Sequence, residues 1–267
     1  MTRNLGTALI TGASSGIGAV YANRLARRGY DLILVARNKE RLDELALKLA
    51  SDTGRDVRAI AADLRREADL AKIEGVLKEY DAISMLVNNA GVGATGPLLK
   101  SDVEKMSEMV SLNVTALMRL TYAAVPGFVQ RRRGTVINIS SIVGVAPEIL
   151  NGVYGGTKAF VLAFSQSLKS ELKDTGVTVQ AVLPGATSTE FWEIAGTPLS
   201  NLPSEIVMSA ENMVDAALSG LELGELVTIP SLPNVEEWNA YEDARQKLMP
   251  NLSRAVPAGR YQAGAGH

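Results

Sequence analysis

Tyr154 and Lys158 stand four residues apart, a separation that places two side chains on one face of a helix. A phenol in water titrates near pH 10, too high for easy proton exchange at neutral pH. A neighbouring ammonium stabilises the phenolate and lowers that value. The pair is therefore a candidate acid–base device. Of seven tyrosines, Tyr154 alone has a lysine at this spacing. An ordinary tyrosine with a lysine one turn on has the same pattern, so other residues must decide.

The chain offers few rivals for the role. It has no cysteine, which excludes disulfides, thiolate nucleophiles and Cys-ligated zinc or iron–sulfur clusters. Its one histidine, His267, is the final residue, which argues against a Ser-His-Asp hydrolase and a histidine-rich metal site. No metal site is expected. Ser140-Ser141 ends an apolar run ahead of Tyr154. A hydroxyl there can hydrogen-bond a substrate oxygen beside the phenol, and it can equally cap a loop. Asn113 lies inside a helical stretch, where asparagine has poor propensity. Its amide is expected to do structural or catalytic work.

A second cluster could hold a phosphate. Thr11-Gly12-Ala13-Ser14-Ser15-Gly16-Ile17-Gly18 joins a strand-like run to a helical one. Glycines let the chain turn tightly and let backbone N–H groups and a helix N-terminus approach a pyrophosphate. The spacing is G-x-x-x-G-x-G, not the common G-x-G-x-x-G. A tight strand-to-helix turn without ligand would use the same glycines. The next strand ends Val35-Ala36-Arg37. An acidic residue there would hold a ribose 2′-hydroxyl. Ala36 followed by a guanidinium suits a 2′-phosphate instead, which favours NADP(H) over NAD(H). Asn88-Asn89-Ala90-Gly91 ends a further strand, where small residues and amides can line a cofactor crevice or form a turn.

These residues need a scaffold, and the rest of the chain supplies one. The 267 residues are 46% hydrophobic and 21% charged, with a net charge of −2. That is ordinary for a soluble globular protein and gives no pull toward nucleic acid or anionic membrane. No apolar run approaches the roughly 18 residues that span a bilayer. Met1-Thr2-Arg3-Asn4-Leu5 carries no signal-peptide pattern, so the cytoplasm is expected.

Strand-like runs at 7–10, 31–36, 56–61, 83–88, 135–139 and 177–183 alternate with helical patterns at about 17–28, 38–50, 67–80, 102–129 and 154–174. Gly29 is expected to close the first helix and Asn38 to cap the second. Near-continuous apolar strands separated by helices predict an α/β doubly wound parallel sheet with helices on both faces, as one domain over 1–267. A helix at about 210–222 and a strand at 225–230 complete it. The tail from 231 to 267 is a C-terminal extension with one amphipathic stretch at about 235–248. Arg131-Arg132-Arg133 reads as a solvated helix end and not a nucleic-acid patch.

Taken together, T-G-x-x-x-G-I-G at 11–18, N-N-A-G at 88–91, Asn113, Ser141, Tyr154, Lys158 and Pro184-Gly185 resemble the short-chain dehydrogenase/reductase family, in its compact single-domain branch with a Rossmann-type sheet. The resemblance is strong over about 5–190 and loose beyond. It implies a nicotinamide-dependent oxidoreductase acting on a ketone or secondary alcohol, an NADPH-dependent carbonyl reductase. Tyr154 would exchange the proton and Ser141 orient the carbonyl, with Ser140 the adjacent fallback. Lys158 would bind the nicotinamide ribose and depress the tyrosine pKa. Asn113 would hold a water in a relay to Lys158. Gly12, Ser14, Ser15, Gly16, Ile17 and Gly18 would form the phosphate loop. Arg37, Asp63, Leu64, Asn89, Ala90 and Gly91 would line the adenosine side. Pro184, Gly185, Thr187 and Thr189 would lie against the nicotinamide.

Residues 93–97, 145–151 and the covering segment 186–209 would surround the substrate. Phe191, Trp192, Leu199, Leu202 and Ile149 would form either an apolar pocket or a lid or subunit contact. The family's use of helices 102–129 and 154–174 implies a homodimer or homotetramer. A non-catalytic NADP(H)-binding redox-sensing regulator is the alternative, disfavoured because all four catalytic residue types are present. An epimerase or dehydratase is disfavoured by the N-N-A-G motif and compact length.

Overall fold

A computed structural model describes residues 5–261. The expectations that concern Met1 to Asn4 and His267 lie outside the described residues. The described contacts fall into two compact units, Met1–Pro230 and Ser231–His267.

In the first unit, each apolar run forms a strand and each periodic run a helix. In order they are β1 (Thr7–Thr11), α1 (Gly16–Arg27), β2 (Asp31–Ala36), α2 (Lys39–Thr53), β3 (Val57–Ala61), α3 (Glu67–Glu79) and β4 (Ile83–Asn88). Then follow α4 (Val103–Val110), a π-helical turn (Ser111–Ala116), α5 (Leu117–Gln130), β5 (Gly134–Ile139), α6 (Gly152–Glu171) and β6 (Val177–Val182). The unit ends with β7 (Thr187–Ser188), α7 (Phe191–Ala195), β8 (Met208–Ser209), α8 (Ala210–Glu222) and β9 (Val227–Thr228). Asn38 caps α2, its Oδ1 accepting from Arg41 N at 2.9 Å.

Seven strands pair in the order β3-β2-β1-β4-β5-β6-β9, all parallel. The sheet reverses direction of growth after β3, between β1 and β4, which places a crevice at their C-terminal ends. Side-chain alternation sends Ala8 and Ile10 to one face, with Leu25 of α1, Leu42 of α2 and Leu218 of α8. Leu9 goes to the other, with Ile73 of α3 and Leu120 and Phe128 of α5. Both faces are covered, as near-continuous apolar strands require. β7 and β8 form a separate two-stranded ladder.

Two expectations need correction. The helix expected over 102–129 is interrupted by the π-helical turn at Ser111–Ala116, the turn that carries Asn113. The Asn113 side chain bonds to Val92 and Thr157, contacts that helical periodicity does not register. In the second unit, the stretch expected to be amphipathic forms α9 (Val235–Lys247), but none of its residues is buried. Among the described residues, no helix is long and apolar enough to cross a membrane.

Candidate active site

The parallel sheet delivers the loops after β1, β2, β4, β5 and β6 to one rim, and the sequence motifs sit on those loops. After β1, Thr11 Oγ1 donates to the Val87 carbonyl at 3.3 Å and accepts from the Asn89 and Ala90 amides at 3.0 Å each. Asn89 Nδ2 donates back to the Thr11 and Gly12 carbonyls at 2.9 and 3.1 Å. The glycine loop and N-N-A-G are thus one clamped unit. Gly12 has φ +65, and a Cβ at Gly18 would lie 2.2 Å from the Gly12 carbonyl oxygen. Only glycine lets α1 start this close to the loop. Asn88, by contrast, is committed to the core, donating to Thr121 Oγ1 at 3.0 Å and Asn138 Oδ1 at 2.9 Å.

On the adenosine side, Arg37 is exposed at the end of β2 and its guanidinium makes no ion pair among the described residues. Asp63 is bound by Arg65 at 2.7 Å, and this hydrogen bond holds its carboxyl below the usual carboxylate range. Leu64 is buried beside it. Ile17 packs against the core through α1, while Ser14 is half-buried in the loop.

On α6, Tyr154 and Lys158 are both buried, 6% and 7% exposed. Lys158 Nζ donates to the Ile139 carbonyl at 2.9 Å and lies 5.9 Å from the centre of the Tyr154 ring. Its other two N–H bonds have no partner among the described residues. Burial brings the ammonium down to about 8. Burial pushes the Tyr154 phenol up to about 12, opposed by a hydrogen bond with Ser141. The phenol thus moves opposite to the lowering expected from Lys158: desolvation penalises both charged forms, and what opposes the rise of the phenol is the Ser141 hydroxyl.

The two serines separate cleanly. Ser140 Oγ donates to the Lys158 carbonyl at 2.7 Å and is committed to α6. Ser141 faces the phenol and caps the turn at 142–144. Asn113 Nδ2 donates to the Val92 carbonyl at 2.8 Å and Thr157 Oγ1 at 3.1 Å, and Oδ1 accepts from Val92 N at 3.0 Å. One Oδ1 lone pair remains. A Cβ at Gly91 would lie 3.1 Å from that oxygen and 3.6 Å from Lys158 Nζ, so both groups border one small space.

After β6, the Pro184 carbonyl accepts from Ile142 N at 3.1 Å, tying this loop to the Ser141 turn. Thr187 Oγ1 donates to the Gly185 carbonyl at 3.2 Å. Thr189 lies on the glycine loop: a Cβ at Gly16 would be 3.1 Å from its Cγ2. Phe191 packs 5.8 Å from the Tyr154 ring, in an apolar cluster with Met109 and Val143. A Cβ at Gly93 would fall 2.2 Å from Phe191 Cζ. Trp192 is buried, its Nε1 donating to the Thr187 carbonyl at 3.0 Å. Leu199 and Leu202 are half-buried and Ile149 is 55% exposed; of the five apolar residues, Phe191 makes the ring contact with the phenol, the two rings tilted by 44°.

The arrangement fits a dinucleotide. It offers a glycine cradle that a Cβ would fill, an ammonium with two free donors and an unpaired guanidinium. Thr11, Thr157, Gly93, Arg41 and Glu190 take contacts that the sequence does not assign to them individually. Thr11 and Thr157 lie inside recognised motifs, so their positions could have flagged them. Arg41–Glu190 and Gly93–Phe191 carry no local signal.

The comparisons agree with this geometry. Residues 6–197 match the family model described as short chain dehydrogenase. An uncharacterized oxidoreductase of Staphylococcus epidermidis is 32% identical over 231 residues, covering 86% of this chain and 94% of that protein. A short-chain dehydrogenase from Sphingobium yanoikuyae, solved in complex with NADPH, superposes with a TM-score of 0.94 at 51% identity, covering 97% of this chain and 100% of that one. The bulky-bulky ketone specific alcohol dehydrogenase from Comamonas testosteroni gives 0.89 at 47% identity, covering 97% and 99%. A chain with this sheet order, this clamped glycine loop and these matches belongs to the short-chain dehydrogenase family of oxidoreductases.

Proposed function

We propose that the protein is an NADP(H)-dependent carbonyl reductase that interconverts ketones and secondary alcohols. The observation that carries this reading is the buried Lys158 ammonium, with two open donors, beside a buried phenol that Ser141 holds. A nicotinamide held there would supply or accept the hydride. Every other task falls to the chain.

Tyr154 remains protonated at neutral pH, since burial sets it at about 12. That is the form needed to give a proton to a carbonyl oxygen during reduction. Ser141 donates to the same oxygen and stabilises the charge that develops there. Lys158, at about 8, is mostly charged at pH 7. Its free N–H bonds suit ribose hydroxyls, and its charge favours the phenolate left after proton transfer. Asn113 holds the Val92 loop against α6, and its spare Oδ1 lone pair would hold a relay water on the side of Lys158. Gly12, Gly16 and Gly18 admit the pyrophosphate, and Arg37 takes the 2′-phosphate. Phe191 and its apolar neighbours exclude water and suit an uncharged ketone.

The Sphingobium neighbour's NADPH and the Comamonas neighbour's ketone specificity support this choice of cofactor and substrate class. The ring stack of exposed Tyr122 with half-buried Phe164 and Phe160 on α5 and α6 suits a homodimer or homotetramer contact, and the cysteine-free chain suits the cytoplasm. The test is Tyr154→Phe. It should lower ketone reduction by about 10²–10⁴-fold while NADPH affinity stays nearly unchanged. Retained turnover removes the proton role.

A further inference from the structure

Glu190 immediately precedes α7, and its carboxylate is held from two directions. Arg41 Nη1 lies 2.8 and 3.1 Å from its two oxygens, across 149 residues of sequence. The Ser15 hydroxyl of the glycine loop adds the smallest of the influences, after Arg41, that hold the Glu190 carboxyl below the usual range. Arg41 belongs to the first turn of α2, just beyond Arg37 at the end of β2. The neighbouring Thr189 lies on Gly16. The Glu190 carboxylate is therefore placed between the start of α2 and the glycine loop.

A guanidinium and a hydroxyl gathered on one anion are the donors that a phosphate uses. Guanidinium binds carboxylate and phosphate with the same forked geometry. Arg41 and Glu190 are each about half exposed, 50% and 58%, so the pair is open to competing ions. Arg41 makes no other ion pair among the described residues.

We propose that Glu190 is a resident substitute for a phosphate of the dinucleotide, and that Arg41 is a phosphate-contacting residue that exchanges one anion for the other. The inference rests on the dinucleotide reading above. The chain's own carboxylate competes with the cofactor, so removing that carboxylate frees Arg41 and Ser15 for the phosphate. The phosphate is either the pyrophosphate, common to both nicotinamide cofactors, or the 2′-phosphate of NADP(H) alone.

Equilibrium titration of the full chain with NADPH and with NADH, followed by nicotinamide fluorescence and not by turnover, tests this. Glu190→Gln should tighten binding by about two- to fivefold, the range for one exposed ion pair. Arg41→Gln should weaken it by at least as much. Effects on NADPH alone identify the 2′-phosphate, and equal effects on NADH identify the pyrophosphate. Any other combination, including unchanged or weaker binding by Glu190→Gln, overturns the exchange. Wild-type protein that binds neither dinucleotide would instead refute the proposed function. Thermal denaturation of both variants checks that they are folded.

Discussion

Replacing Lys158 with methionine should make the protein more stable at neutral pH and less stable in strong alkali. Burial lowers the ammonium from the ordinary lysine value of 10.5 to about 8. A tenfold change in proton affinity corresponds to about 1.4 kcal/mol, so keeping this group charged costs the fold on the order of 3 kcal/mol below pH 8. Methionine has similar length and no charge to desolvate. It forfeits the hydrogen bond to the Ile139 carbonyl, about 1–2 kcal/mol.

The sign follows from proton counts. Between pH 8 and 10.5 the unfolded lysine is protonated and the folded one is not. Wild-type stability therefore rises with pH through that window, and the variant's does not. Lys158→Met should be more stable by about 1–2 kcal/mol at pH 7 and less stable by about the same above pH 10.5. Tyr154 is raised by burial, which the substitution leaves in place, so its contribution largely cancels from the difference. Urea denaturation at pH 7, 8, 9 and 10.5 measures it. Wild-type and variant curves that stay parallel across the series would refute a buried charged lysine. Activity should be lost in the same variant, because its ammonium and its burial serve the site at the expense of the fold.

The remaining expectations concern the rim of the site. Arg37→Ala should weaken NADPH binding by tenfold or more, about 1.4 kcal/mol or above, and leave NADH nearly untouched; isothermal titration with both cofactors distinguishes this from an equal loss. Gly18→Ala would bring a Cβ to 2.2 Å from the Gly12 carbonyl oxygen, so both thermal stability and dinucleotide binding should fall. Asn113→Leu leaves Val92 N–H, the Val92 carbonyl and Thr157 without their partner, and should lower stability by about 2–4 kcal/mol; a variant as stable as wild type in urea would contradict the clamp.

Much of the fold was legible because its signals are local. Near-continuous apolar runs and 3.6-period helices follow from backbone geometry and burial on both sheet faces, and six of the seven strands of the main sheet lie within a residue of the sequence expectation. β9 is reduced to Val227–Thr228 because it pairs only with the end of β6. The π-helical turn escaped because apolar periodicity continues through it. It carries Asn113, whose bonds to Val92 and Thr157 join segments that no single window of sequence contains.

The site divides along the same line. Tyr154 and Lys158 are four apart, so helix geometry alone puts them together. The glycines are legible because no other residue permits that loop. These were settled by the chain's own order of residues. Which serine meets the phenol was not: Ser140 and Ser141 are neighbours in sequence, but the packing of α6 on the end of β5 sends one to the Lys158 carbonyl and the other to Tyr154. The pairing of Arg41 with Glu190, and the seating of Phe191 on Gly93, depend on loops from distant strands converging on one rim. The direction in which each ionisable group shifts was likewise decided in three dimensions, because burial is contributed by every surrounding element at once and spacing along the chain does not record it.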